Sequence, residues 1–235
     1  MFAPRSRGIL IFNGTTRQMK KLRCVIFDMD GTLTQTNQLI FDSFNYIAKK
    51  YTGKQFTDAE ITAMFGPPEE GALIPMVGKE RIEEVLTDYL VYYKSNHHRL
   101  ASLYPGICEM LKYLQHQGCK IALFTGKGIH TTMITLEEFQ IRSYFDYVVT
   151  GNDVVNHKPS AEGIQKILNH FSLQPDEVLM VGDSVSDVKA SDEAGVPIAA
   201  VLWDSYGKDN VLKMETDNTF HDVSEFANWI RLQFN

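Results

Sequence analysis

The chain has 235 residues, 44% hydrophobic and 22% charged, a globular balance that excludes disordered, collagen-like and disulfide-stapled chains. Its 23 basic and 29 acidic residues give a net charge of −6, so neither nucleic acid nor an anionic membrane surface is expected as a partner. Cys24, Cys108 and Cys119 are scattered without Cys-x-x-Cys spacing, which suits reduced thiols in a cytoplasmic protein and argues against disulfides or zinc.

In chain order, residues 1–18 carry Arg5, Arg7 and a short apolar run, 8–12, that is smaller than a signal-peptide core and lacks a cleavage site. They read as an N-terminal extension ahead of a natural start at Met19, and their deletion is expected to leave activity intact. Short apolar runs then recur at 24–27, 120–124, 145–149, 177–181 and 197–202, each rich in Val, Ile, Leu or Phe and too short for a helix. Amphipathic helical patterns alternate with them, such as 107–117, stopped by Gly118, and 161–171, with Ser160 as the expected N-cap. This alternation predicts an α/β fold, a Rossmann-like doubly wound parallel sheet with helices on both faces, built from residues 19–36 and 103–235.

Residues 37–102 break the pattern: they show helical periodicity only, over a connection far longer than an ordinary crossover, and read as an inserted helical domain. Its expected helices span 38–51, 58–65, 69–76 and 79–98. Thr57 and Glu60 form a capping box at the second, and Gly66-Pro67-Pro68 ends it. His97-His98 has no carboxylate or cysteine at metal spacing and reads as a solvated helix end.

The chemistry concentrates where the strands end. The first runs out in Asp28-Met29-Asp30-Gly31-Thr32-Leu33-Thr34. Side chains alternate along a strand, so Asp28 and Asp30 point the same way, and Gly31 lets the backbone turn close to a ligand. Thr125-Gly126-Lys127-Gly128 follows the second strand, offering a hydroxyl and backbone N–H groups to an anion. Lys158-Pro159 comes after the third, and Gly182-Asp183-Ser184-Val185-Ser186-Asp187 after the fourth. Alone, each reads as well as an Asp-Gly turn, a surface lysine or an N-capping acidic turn. Together they lie at the carboxyl ends of parallel strands, where open α/β sheets bind ligands, and they supply hard oxygen donors for Mg²⁺, a cation, a hydroxyl and amides, an inventory for handling a phosphoryl group.

Asp28-x-Asp30-Gly-Thr-Leu, Thr125 after a strand, Lys158-Pro159 and Gly182-Asp183-x-x-x-Asp187 resemble the four motifs of the haloacid dehalogenase superfamily, over nearly all of residues 22–230. The helical insert is similar to the cap of the phosphoglycolate phosphatase, pyrophosphatase and β-phosphoglucomutase branch. The stretches Ala194-Gly195-Val196-Pro197 and Ser205-Tyr206-Gly207 resemble the phosphoglycolate phosphatase-like members most. Gln35, Gly126 and Ala161 stand where the branch commonly has Asp, Asn and a second proline; none removes a catalytic group.

The resemblance implies a Mg²⁺-dependent phosphatase acting on a small phosphorylated metabolite. Asp28 is then the nucleophile that forms an aspartyl-phosphate, and Asp30 the acid and base. Thr125 and Lys158 stabilise the phosphoryl group, and Gly31, Thr32, Gly126 and Lys127 are the expected substrate-contacting positions. Mg²⁺ is held by Asp28, the Asp30 carbonyl and Asp183, with Asp187 orienting it through water or holding Lys158. Asp30 argues against dehalogenation, since a halide leaving group needs no proton. The cap is expected to open and close over the site, with the loop 65–71 and Lys79 as candidate specificity elements. A phosphomutase, an inorganic pyrophosphatase and a non-catalytic phosphate-binding regulator stay open as alternatives, and monomer or weak homodimer is the expected state.

Overall fold

The computed structural model describes residues 21–234, and the expected extension at 1–18 lies outside them. The elements in chain order are β1 (Cys24–Phe27), β2 (Thr34–Gln35), α1 (Asn37–Thr52), α2 (Asp58–Thr62), α3 (Glu69–Val77), α4 (Ile82–Leu100), β3 (Ser102–Leu103), α5 (Ile107–His116) and β4 (Lys120–Phe124). There follow α6 (Ile129–Glu138), β5 (Tyr147–Val149), α7 (Glu162–Phe171), β6 (Val178–Gly182), α8 (Val185–Ala194), β7 (Ile198–Val201), α9 (Lys208–Val211), β8 (Asn218–Phe220) and α10 (Val223–Leu232).

Six strands form one parallel sheet in the order β5-β4-β1-β6-β7-β8. The period-2 alternation of β1 sorts its four buried residues between two cores. Val25 and Phe27 join Leu111, Leu114, Phe226 and Ile230 on one face, while Cys24 and Ile26 join Ile164, Ile167 and Val188 on the other. Burial on both faces is why these strands read as continuous apolar runs rather than alternating ones. The chain builds outward from β1 to β4 and β5, then returns to the far side of β1 with β6. This reversal leaves a crevice at the carboxyl ends of β1, β4 and β6.

Helices α1–α4 surround a separate apolar core of Leu39, Phe41, Phe44, Ile47, Ile61, Leu73, Val85, Tyr89 and Tyr93. Phe44, Ile47 and Tyr51 fall one turn apart on α1, and Val85, Tyr89 and Tyr93 are spaced i, i+4, i+8 on α4, so two amphipathic stripes face each other. The capping box at α2 is present: Thr57 N–H donates to Glu60 Oε2 at 2.7 Å, and Glu60 N–H donates to Thr57 Oγ1 at 3.3 Å.

Several local expectations shift. Helix α2 ends at Thr62, not 65, and α7 begins after Ala161 as N-cap; Ser160 stands one residue further out, its Oγ accepting from Glu162 N–H at 3.3 Å. The expected strand at 145–149 starts at Tyr147, because Arg142–Tyr144 close a 3₁₀ turn. Two pairings carry no apolar run to announce them: edge strand β8, and the two-residue antiparallel ladder of β2 with β3, which ties the start of the helical insert to its end. Among the described residues no helix is long and apolar enough to cross a membrane.

His97 is not solvated. It is fully buried, its ring against Phe139 with centroids 4.7 Å apart, and its Nε2 lies 3.2 Å from Thr135 Oγ1. The Tyr93 hydroxyl meets the same oxygen at 2.8 Å. The misreading arose because the partners, Thr135 on α6 and Phe139 at its C-cap, belong to the α/β unit, and a pattern confined to α4 cannot reveal them. Replacing Thr135 with Val keeps the shape and removes the oxygen shared by two buried polar groups. An unsatisfied buried group costs about 1–3 kcal/mol, so Thr135→Val should lower stability by roughly 2 kcal/mol or more in urea unfolding. An unchanged midpoint would show that the pair contributes nothing.

Candidate active site

Every strand-end motif arrives in one crevice. Asp28, Asp30, Thr125, Gly126, Lys127, Lys158 and Asp183 line a cavity of about 400 Å³ between the sheet's carboxyl edge and the helical insert. Gly31 and Thr32 are not on its wall; they back Asp183. Thr32 Oγ1 donates to Asp183 Oδ1 at 3.3 Å, and a Cβ on Gly31, which has φ +82°, would sit 2.7 Å from the Asp183 carboxyl carbon. Only glycine tolerates both that backbone conformation and that approach. From the other side, Ser205 Oγ donates to the Asp183 carbonyl at 2.6 Å, so the β6 and β7 loops brace each other.

Lys158 is the hub. Its Nζ is 2.8 Å from Asp28 Oδ1 and 2.6 Å from Asp187 Oδ1, and lies 4.6 Å over the Phe124 ring. Asp187 closes a capping box on α8, its Oδ2 accepting from Ser184 N–H at 3.0 Å and from Ser184 Oγ at 2.5 Å. Both of its oxygens are therefore engaged by the protein, and of the two roles expected for it, holding Lys158 is the one with an observed contact. Burial pushes the Asp28 carboxyl up to about 7; Lys158 opposes that shift, while Asp187 and Asp30 add to it. Burial likewise pushes Asp183 well above the carboxylate range, with Asp28 and Asp187 adding repulsion. Burial opposes the charge on Lys158, and Asp187 and Asp28 more than reverse that effect.

Asp28, Asp183 and Asp187 each present an oxygen within 4.8 Å of the others. Two buried carboxyls raised by desolvation and mutual repulsion, with a single ammonium between them and Asp187, are short of positive charge. An oxygen-preferring divalent cation fits that donor set.

Asp30 faces a different partner. Lys127 Nζ lies 3.4 and 3.3 Å from its two oxygens, and Thr36 Oγ1 donates to Oδ1 at 2.5 Å. Lys127 was expected to act through its backbone; its side chain is buried beneath the insert, 4.8 Å over the Tyr93 ring. No local spacing could signal a pair 97 residues apart. The amides after Thr125 are also more committed than expected: Lys127 N–H donates to Thr125 Oγ1 at 3.3 Å, and Gly128 N–H donates to Glu69 Oε2 at 2.9 Å. Glu69 Oε1 accepts from Thr131 Oγ1 at 2.5 Å, placing a buried carboxylate from α3 on the N-terminus of α6, where the helix dipole favours a negative charge. Of the candidate specificity elements, residues 65–67 and 69 line the cavity and Lys79 does not.

The haloacid dehalogenase-like hydrolase family model matches residues 25–201. Pyrophosphatase PpaX of Anoxybacillus flavithermus is 31% identical over 204 residues, covering 87% of this chain and 94% of its own length. Pyrophosphatase PpaX of Halalkalibacterium halodurans is 33% identical over 205 residues, covering 87% and 95%. Among solved structures, a putative β-phosphoglucomutase from Thermotoga maritima superposes with a TM-score of 0.70 at 27% identity, over 90% of this chain and 99% of that one. A predicted phosphoglycolate phosphatase from Haemophilus somnus shares the fold with a TM-score of 0.75 at 22% identity, over 91% and 99%. With the motif residues gathered at one sheet edge and the match running through all of them, the chain belongs to the haloacid dehalogenase-like hydrolases and is a phosphatase of that family.

Proposed function

We propose that the protein is a Mg²⁺-dependent phosphatase that hydrolyses a small phosphomonoester through a phosphorylated Asp28, within the phosphoglycolate phosphatase-like branch. The observation that carries this reading is the division of labour between two neighbouring carboxylates. Asp28 is held by Lys158 through Oδ1, while Asp30 is held by Lys127 and Thr36 on the side of the cavity beneath the insert.

In the first step an oxygen of Asp28 attacks phosphorus in line, the bond from phosphorus to the ester oxygen breaks, and Asp30 as the acid gives that oxygen its proton. In the second step Asp30 takes a proton from water, the water oxygen attacks phosphorus, and the bond to Asp28 breaks, releasing inorganic phosphate and restoring the Asp28 carboxylate and the protonated Asp30. Thr125 and the Gly126 amide would hold the phosphoryl oxygens, and Lys158 would offset charge on Asp28 and on the incoming group. Asp28, Asp183 and the Asp30 carbonyl would hold Mg²⁺, which when bound supplies neutralisation of phosphoryl charge. The free cysteines Cys24, Cys108 and Cys119 support a cytoplasmic setting.

Phosphate release from a panel of phosphomonoesters, with pyrophosphate included because of the PpaX relatives, is expected with Mg²⁺ and not with EDTA. Asp28→Asn should lose roughly 10³-fold or more and Asp30→Asn about 10²–10⁴-fold. Turnover by Asp28→Asn at the wild-type rate would remove Asp28 as the nucleophile. The raised carboxyl of Asp28, at about 7, also sets a pH dependence of metal demand, because the proton and the cation compete for it. As pH falls below 7 the Mg²⁺ concentration for half-maximal activity should rise, by up to about tenfold per unit for the Asp28 proton alone, with the raised Asp183 acting in the same sense. A flat profile from pH 5.5 to 8 would contradict this.

A further inference from the structure

Gly128, the N-cap residue of α6, has no side chain with which to cap its own helix, so donors at the helix start must be met from elsewhere. Asn152 meets one, its Oδ1 accepting from Ile129 N–H at 2.8 Å. Glu69 of the insert supplies the other cap. Its Oε2 accepts from Gly128 N–H at 2.9 Å and its Oε1 from Thr131 Oγ1 at 2.5 Å. One carboxylate thus spans the N-cap and N3 positions, the pair that a capping box joins within a single helix. It is buried, and it comes from 59 and 62 residues upstream of its two partners.

The surface that receives Glu69 is shaped by glycines. Gly128 has φ −69° and ψ 157°, extended backbone open to any residue, yet a Cβ there would lie 2.2 Å from Glu69 Oε2. A Cβ on Gly126 would come 3.3 Å from the Gly66 carbonyl oxygen. One on Gly151 would come 2.9 Å from Pro68 Cγ, as well as 2.4 Å from the Gly126 carbonyl oxygen. The chain after β4 and the chain after β5 are therefore bare where residues 66–69 press on them, and at Gly128 the reason is space, not backbone conformation. A second anchor lies further along α6, where Thr135 Oγ1 meets Tyr93 and His97 of α4.

We infer that Glu69 is a positioning residue, the contact through which the docked insert fixes Thr125–Gly128 against the substrate's phosphoryl group. This rests on the phosphatase reading above and deepens it. Thr125, Gly126 and Lys127 line the cavity, and the Lys127 ammonium holds Asp30. The segment that Glu69 clamps at its downstream end therefore presents a hydroxyl, an amide and the partner of the acid. Phe65, Gly66, Pro67 and Glu69 line the same cavity from the insert, so one carboxylate sets the spacing between the wall that meets the leaving group and the wall that meets phosphorus. A misplacement of about 1 Å in such an arrangement costs on the order of 10²-fold in rate.

The test compares Glu69→Leu, which keeps the bulk and loses both acceptors, with Glu69→Gln, which keeps an acceptor for Gly128 N–H. Amide hydrogen exchange and hydrolysis of p-nitrophenyl phosphate with Mg²⁺ are read on protein that circular dichroism shows to be folded. In Glu69→Leu the amides of 127–132 should exchange roughly tenfold faster or more, the scale of one charge-assisted hydrogen bond, while those of β6 stay unchanged. Its kcat should fall about 10- to 100-fold. Glu69→Gln should recover most of both effects. Gly128→Ala, whose Cβ displaces the carboxylate, should reproduce Glu69→Leu, and combining the two should add little. Wild-type exchange at 127–132, or wild-type kcat, in folded Glu69→Leu overturns the assignment whatever happens to thermal stability, because a merely structural contact would move stability alone. Folded wild-type protein that hydrolyses neither this ester nor any of the panel above overturns the phosphatase reading, and exchange alone then decides whether Glu69 fixes the segment. Should Glu69→Leu fail to fold, Gly128→Ala decides by the same two readouts.

Discussion

The ammonium of Lys158, 2.8 Å from Asp28 and 2.6 Å from Asp187, is the contact on which the site depends, because the carboxyl ends of β1 and β6 bring Asp28, Asp183 and Asp187 within 4.8 Å of one another. Three buried carboxylates at that spacing repel strongly, and desolvation adds to the difficulty of keeping them ionised. The lysine arrives from the loop after β5, separated from β6 by the two strands β4 and β1, so the parallel order of the sheet is what makes the neutralisation possible. Its commitment to two acids also removes it from service elsewhere in the cavity.

A second ion pair, Lys127 with Asp30, plays the corresponding part beneath the insert. Lys127 lies over Tyr93, whose hydroxyl meets Thr135, which in turn meets His97. Together with Glu69 on the N-terminus of α6, these contacts connect helices α3 and α4 to the element that follows residues Thr125–Gly128. The same short stretch of chain thus lines the cavity and receives the helical insert.

Much of this was legible in the sequence where the governing physics is local. The buried strands declared themselves as apolar runs, Thr57 and Glu60 marked a helix start, and Asp28, Thr125, Lys158 and Asp183 could be placed together because strand ends in a parallel sheet share one edge. What escaped the reading depends on partners distant in the chain. His97 looked solvated until Thr135 and Phe139 were set against it, and the Lys127 ammonium looked incidental until Asp30 was beside it. Strand β8 and the β2–β3 ladder are too short for any periodic signal. Glu69 sat within a loop already suspected of facing the substrate, yet its partners are the Gly128 amide and the Thr131 hydroxyl, both about 60 residues further along the chain, and neither leaves a mark on local composition.

The β2–β3 ladder has a consequence for how such a molecule diversifies. Thr34 pairs with Leu103 and Gln35 with Ser102, so the chain leaves the α/β unit and re-enters it one strand spacing away, about 5 Å. A segment inserted at such a doorway imposes no stretch on the sheet, whatever its size. The parallel strands and their acidic edge can therefore stay constant while the inserted helices are exchanged, lengthened or replaced by a plain turn, which lets the apparatus of bond breaking and the apparatus of molecular choice vary through separate stretches of one gene.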